Sequence, residues 1–244
     1  MRTLLPVLAL LLMLTACARP QGCAHALTAE EQRCARMLPV DRLVLPGLVY
    51  QSGFVTSSGI VTARHGIPET LESLLRQTSG EIRSSCELVT VESRIVSTQP
   101  EARRLDPTAP RHTISEAAGD WCVLRTNATA ERVAETDFDS PLTAGTEVVV
   151  HGFPIDLAHS EVSFVAVVTR EKEIPGIGRL YEAKSGRLPE LNGVSGGMVV
   201  RRSSLTPDGR APAIGVFTLS RSTFSGDTLV WFVRPPPGLT PDVP

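Results

Sequence analysis

The sequence predicts an all-β fold, organised as a pair of antiparallel barrels. Three observations predict it. Short runs rich in Val, Ile, Thr and aromatic residues recur along the chain, with turn residues between them about every ten positions. These runs fall into two groups, one on each side of a linker at Asp137–Thr143. The composition supplies the turns, with 19 Gly and 19 Pro in 244 residues. Hydrophobic residues make up 42% and charged residues 20%, ordinary for a globular chain. The formal net charge is -2 with no long basic run, which excludes nucleic acid as the natural partner.

Residues 1–17 stand apart from the fold. Arg2 gives a positive start and Leu4–Leu14 an apolar core too short to span a bilayer as a permanent helix, so the segment reads as an export signal. Leu14-Thr15-Ala16-Cys17 is similar to the lipobox of bacterial lipoproteins, in which the cysteine becomes the lipidated first residue. The alternative is ordinary signal cleavage nearby. A lipid on Cys17 would attach the protein to the membrane of the cell envelope. Ala18 in the second mature position implies a periplasm-facing outer-membrane protein in a Gram-negative source. Nothing in the sequence specifies an oligomeric state.

Setting Cys17 aside leaves Cys23, Cys34, Cys86 and Cys122. An even number in an exported chain suggests disulfides, and these cysteines permit three pairings. Proximity favours Cys23–Cys34, and strand placement favours Cys86–Cys122. A zinc site is the alternative, but there is no Cys-x-x-Cys pair. His25, His112, His151 and His159 have no partners at metal-ligand spacing, so no metal or other cofactor is implied.

Residues 18–42 form an N-terminal extension. Thr28 and Glu31 have capping-box spacing, which predicts a short helix over Thr28–Met37. The barrel domain runs from 43 to 233, with the first barrel over about 43–136 and the second over about 140–233. Gly47–Thr56 reads as a strand, Ser57-Ser58-Gly59 as a turn and Ile60–Ala63 as the partner strand. Arg64-His65-Gly66-Ile67-Pro68 follows, so rigid strands place the His65 ring while it can still reach a cleft. Glu69–Gln77 reads as a brief helix, Cys86–Val96 as a strand, and Gln99–Arg111 as an exposed loop whose arginines are solvated. Asp120 directly precedes the apolar strand Trp121–Leu124. In the second half, strands are predicted at Glu147–Pro154, Val162–Thr169, Arg179–Ala183, Met198–Arg201, Ala213–Ser220 and Thr228–Val233. The tail 234–244 opens with prolines and reads as extended chain.

One stretch carries chemistry. Asn192-Gly193-Val194-Ser195-Gly196-Gly197 sets a serine between glycines ahead of a buried strand. Glycines tolerate positive φ and crowd nothing, so a base can approach the hydroxyl and amides can point at a developing oxyanion. By itself the stretch reads equally as a glycine-rich turn. With His65 and Asp120 upstream, each at a strand end, it completes a Ser-His-Asp set in the order His, Asp, Ser.

Several segments resemble trypsin-like (chymotrypsin-fold) serine peptidases of the bacterial kind. Ser52-Gly53-Phe54-Val55 through Gly59-Ile60-Val61-Thr62-Ala63-Arg64-His65 resembles the hairpin that carries their histidine. Asp120-Trp121-Cys122-Val123-Leu124 resembles their Asp-Leu-Ala-Leu-Leu segment, and Gly193-Val194-Ser195-Gly196-Gly197 their Gly-Asp/Asn-Ser-Gly-Gly loop. Val150-His151-Gly152-Phe153-Pro154 is similar to a strand end in bacterial members, and Ile214–Thr218 to the strand walling the primary pocket. The likeness runs from about Val44 to Val233.

The resemblance implies two six-stranded antiparallel barrels with the active site in the cleft between them. It implies a serine endopeptidase acting on a protein or peptide substrate. Ser195 would be the nucleophile, His65 the general base and acid, and Asp120 the residue that holds the His65 tautomer. The amides of Gly193 and Ser195 would form the oxyanion hole. Thr218 matches the position whose hydroxyl supports the acid, and Leu219 and Ser220 would offer backbone to a substrate strand. Pro189 stands where trypsin carries the acid that selects basic side chains, and Ser220 where many members have Gly, which favours small or medium side chains. Val194 replaces the usual Asp or Asn, and Arg64 replaces a small residue at the cleft edge. These departures support the alternative, a catalytically inactive scaffold of the same fold that binds peptide or protein partners at the cell envelope.

Overall fold

Val148, Val149 and Val150 are consecutive, β-branched and wholly unexposed, which requires a strand covered on both faces. That strand lies in the wall of a closed barrel, and its side chains alternate between two apolar cores. The computed structural model of the chain describes residues 26–45, 49–57, 59–65, 79–83, 88–92, 95–98, 120–124, 132–155, 161–174 and 178–235.

A helix α1 (Ala29–Arg36) opens the described chain. Strands β1 (Val40–Leu45), β2 (Val49–Thr56), β3 (Gly59–Thr62), β4 (Ser79–Arg83), β5 (Leu88–Glu92), β6 (Ile95–Thr98) and β7 (Cys122–Leu124) make up the first half. They form a five-stranded sheet in the order β1-β2-β3-β7-β6 and a separate pair β4-β5. The second half holds β8 (Glu147–Gly152), β9 (Val162–Ile174), β10 (Gly178–Ser185), β11 (Met198–Arg201), β12 (Ala213–Ser222) and β13 (Thr228–Arg234). These six close as β10-β13-β12-β11-β8-β9, with every pairing antiparallel.

The two cores divide the labour. Val148, Val150, Phe164, Tyr181, Val199, Ile214 and Phe232 point into the barrel, with Tyr181 stacked on Phe232 at a centroid distance of 5.2 Å. Val149, Met198, Val216 and Val233 point outward and meet Phe54, Val61, Trp121 and Val123 of the first sheet. Each large side chain so covered contributes about 2 kcal/mol of burial. Arg42 of β1 also crosses the boundary, donating to the Pro154 carbonyl at 3.0 Å and lying 5.6 Å over the Phe153 ring.

The helix begins where its capping box predicts. Thr28 Oγ1 accepts from the Glu31 amide at 3.2 Å, and Glu31 Oε2 accepts from the Thr28 amide at 2.7 Å. Arg202 then grips Glu31 bidentately, at 2.6 and 2.8 Å, and reaches Glu147 at 3.3 Å. The Arg202 guanidinium, helped by the Thr28 amide, holds the Glu31 carboxyl down at about 2. The extension is thereby docked on the barrel, and β1 begins inside it at Val40.

Several expectations change. The stretch read as one strand over Cys86–Val96 contains two, β5 pairing with β4 and β6 with β7. Both segments favour strand, so an alternating pattern reads straight through the boundary. Among the described residues the strands of the first half form a five-stranded sheet and a separate pair. Arg234, assigned to the tail, ends β13 and is buried; it donates to the carbonyls of Ser140 and Asp137, each at 2.6 Å, and ties down the linker. Cys34 is buried on α1 with a free thiol, and the partner expected for it, Cys23, lies outside the described residues. Cys17, Cys23 and Cys86 lie outside the described residues, as do the export segment, the 69–77 helix and the 99–111 loop. Cys122 stands in the ladder between Thr62 and Thr98.

His151 on β8 is almost wholly buried, with Nδ1 2.7 Å from the Ser163 hydroxyl. Burial pushes its pKa down to about 4; a backbone contact with Val162 opposes this and the Arg36 cation adds to it. The unfolded chain binds a proton near the ordinary 6.5 while the folded chain stays neutral, so stability falls as pH drops through that interval. The parent is expected to lose about 3 kcal/mol more than His151→Gln between pH 6.5 and pH 4, measured by denaturant titration at both values.

Candidate active site

Antiparallel pairing brings the first two candidate residues together. Thr62 of β3 pairs with Cys122 of β7, and that register continued past the strand ends lays Asp120 beside Arg64-His65. Asp120 is 1% exposed and uses both carboxylate oxygens on one residue. Oδ1 accepts from the His65 backbone amide at 2.7 Å, and Oδ2 meets ring Nδ1 at 2.6 Å. A carboxylate only accepts, so Nδ1 carries the proton and Nε2 presents a lone pair. The ring keeps 24% of its side-chain surface exposed. Burial lowers the His65 pKa, while the charge and hydrogen bond of Asp120 more than reverse this, so the net shift is upward.

Ser195 comes from the barrel. It follows a tight turn in which the Val194 amide donates to the Leu191 carbonyl at 3.0 Å and Gly193 has φ +90°, the value of a type II turn. A Cβ on Gly193 would sit 2.6 Å from Ile155 Cγ1, so glycine is required there twice over. Val194 has no exposure and packs into the barrel interior with Val150 and Val199. Where the resembling family carries a polar residue, this chain uses an apolar anchor. The next turn is closed by the Gly197 amide on the Val194 carbonyl at 2.7 Å, with Gly196 at φ +87°.

His65, Ser195 and Gly193 line one cavity of about 740 Å³, together with Pro189, Thr218, Leu219 and Ser220. Gln51, Ile155, Glu190 and Thr228 also line it and were not singled out from the sequence. Glu190 is held by the Asn192 side-chain amide at 2.6 Å. No spacing rule marks these residues, because loops and strand faces from both halves converge on them. Arg64 is buried and is not among the residues that line the cavity.

Two hydroxyls are directed differently from the expected arrangement. The β12–β13 register shifts between Phe217 and Leu219, leaving Thr218 at an irregularity in the ladder. Its carbonyl accepts the Ser195 hydroxyl at 3.2 Å. Its own hydroxyl donates to the Trp231 carbonyl at 3.1 Å, instead of supporting Asp120. Among the described residues, no group of three or more His, Cys, Asp and Glu side chains is arranged to hold a metal ion.

No family model matches the chain, and no curated protein matches it. Solved structures do. The Rv3671c protease of M. tuberculosis, in its inactive form, aligns at 15% identity over 87% of this chain and 93% of that one, with a TM-score of 0.53. Its active form gives the same TM-score, so the superposition does not separate the two states. A serine endoprotease from Yersinia pestis aligns at 16% identity over 84% of this chain and 62% of that one, with a TM-score of 0.51. Deg5 aligns at 20% identity over 83% and 90%, with a TM-score of 0.50. The likeness is one of fold: the chain shares the trypsin-like serine protease architecture.

Removing the Asp120 charge leaves the burial of His65 in place. A nuclear magnetic resonance titration of the His65 ring is expected to give a midpoint above 6.5 in the parent and below 6.5 in Asp120→Asn. Val194→Asp places an unpaired carboxylate in the barrel interior and is expected to cost about 3 kcal/mol or more in denaturant unfolding.

Proposed function

We propose that the protein is a serine endopeptidase of the cell envelope, hydrolysing peptide bonds in a protein or peptide substrate through Ser195, His65 and Asp120. One observation carries this reading. A buried carboxylate grips both the backbone and the ring of a histidine that shares a cavity with a serine in a glycine-flanked turn. Structural buried histidines do not need that combination.

Catalysis starts with the Ser195 hydroxyl turning from the Thr218 carbonyl to His65 Nε2. Oγ then attacks the substrate carbonyl carbon while Nε2 takes the proton. Asp120 stabilises the imidazolium so formed, the same interaction that raises its pKa. The carbonyl oxygen becomes an oxyanion facing the amides of Gly193 and Ser195. Collapse breaks the C–N bond, and His65 returns the proton to the leaving amine. Water, deprotonated by His65, then hydrolyses the acyl-enzyme. Thr218–Ser220 along the cavity wall offers backbone to an extended substrate. The export segment and Cys17 support a lipid-anchored enzyme on the envelope.

A second reading has one observation in its favour. The Ser195 hydroxyl donates to Thr218, which suits a silent scaffold that holds peptides without cutting them. A fluorophosphonate probe separates the two. Labelling is expected of the parent and not of Ser195→Ala or His65→Ala, with a rate that rises with pH through a midpoint above the ordinary 6.5 as His65 loses its proton. Folded parent that takes no label supports the scaffold reading.

A further inference from the structure

The geometry points to Ser52 as the positioning residue of the oxyanion loop, acting across the boundary between the first sheet and the barrel. This inference rests on the reading of Gly193 and Ser195 as oxyanion donors. Ser52 lies on β2, is wholly buried, and takes no part in the proton transfers described above.

The reason lies in the planarity of the peptide unit. In a trans peptide the C=O of one residue and the N–H of the next point in opposite directions, so holding the oxygen aims the hydrogen. Four successive peptides of the loop are held through their oxygens. The Asn192 carbonyl accepts from the Ile155 amide at 2.7 Å and the Val194 carbonyl from the Gly197 amide at 2.7 Å. The other two are both held by Ser52. Its hydroxyl donates to the Gly193 carbonyl at 3.0 Å, and its amide donates to the Ser195 carbonyl at 2.9 Å.

The Ser52 hydroxyl does one more thing. It accepts from the Phe153 amide at 2.8 Å, two residues before the Ile155 amide that pins Asn192. One oxygen thus sets the spacing between the end of β8 and the loop, and with it the orientation of the Asn192–Gly193 peptide. That peptide is the central one of the Leu191–Val194 turn, and its reversal would turn the Gly193 N–H away from its present direction. The Ser52 carbonyl is itself fixed, accepting from the Thr62 hydroxyl at 2.6 Å. A Cβ on Gly196 would collide with that carbonyl, so the close approach is built into both segments.

The test compares the full chain with Ser52→Ala and with Thr56→Val, which removes another buried β2 hydroxyl whose bond to the Gly59 carbonyl stays local. Saturation kinetics with the fluorophosphonate give the maximal labelling rate and the probe affinity separately. Amide hydrogen exchange at Val194 and Gly196 reports on the loop without requiring catalysis. Ser52→Ala is expected to lower the maximal rate about tenfold or more with unchanged probe affinity, and to speed Val194 exchange, both relative to Thr56→Val. Parity with Thr56→Val in either measurement overturns the proposal and leaves the peptidase reading standing. If the folded parent takes no label, the peptidase reading fails, and the exchange comparison alone decides the role of Ser52. Should Ser52→Ala fold poorly, Ser52→Cys replaces it: its longer, weaker S–H contact is expected to slow labelling several-fold, and parity with the parent overturns the proposal.

Discussion

The apolar contact between the outer wall of the barrel and the first sheet is the constraint on which the rest depends. His65 and Asp120 hang from one side of that contact and Ser195 from the other. The meeting of His65 and Ser195 in one cavity requires Phe54, Val61 and Trp121 to pack against Val149, Met198 and Val216. Polar contacts across the same boundary set its register. Arg42 reaches Pro154, and Ser52 reaches Phe153, Gly193 and Ser195. Dispersion and burial hold the halves together without direction, while the hydrogen bonds choose one alignment.

The Ser195 loop shows how the two kinds of force combine. Val194 drives the middle of the loop into the barrel, where it packs among apolar side chains such as Val150 and Val199. Its neighbours Gly193 and Gly196 take the positive φ values that such a close approach demands. The loop is thus held by apolar burial, by backbone hydrogen bonds and by the Ser52 hydroxyl. His65 titrates: burial lowers its pKa, and the Asp120 charge and hydrogen bond together more than reverse this. His151 is the opposite case: buried with a neutral hydroxyl partner, it is held far below its ordinary pKa.

Much of this was legible in the order of the residues. The strand signals of the second half match β8 to β13, because alternating or wholly apolar runs between turns have few other folded outcomes. The capping box at Thr28 and Glu31 was legible because both partners lie within one turn. The first half was harder. β5 and β6 both favour strand, and nothing local states that they enter different sheets. Arg234 looked like the start of a tail, since its partners at Asp137 and Ser140 lie far back in the chain.

By itself, then, the sequence determined the β class, the helix start and the set of reactive side-chain types, all of which follow from periodicity, capping and residue chemistry over short range. Tertiary structure alone decided how those groups are aimed. It turned the Thr218 hydroxyl to Trp231, gave the Ser195 hydroxyl to the Thr218 carbonyl, and buried Arg64 outside the cavity. It also set Ser52 against residues more than a hundred positions away, with separations of 101 to Phe153 and 141 to Gly193. A sequence pattern reports which face of a strand is covered. What lies opposite that face depends on how the halves of the chain pack, and hydrogen bonds have angular requirements that only the assembled structure can meet.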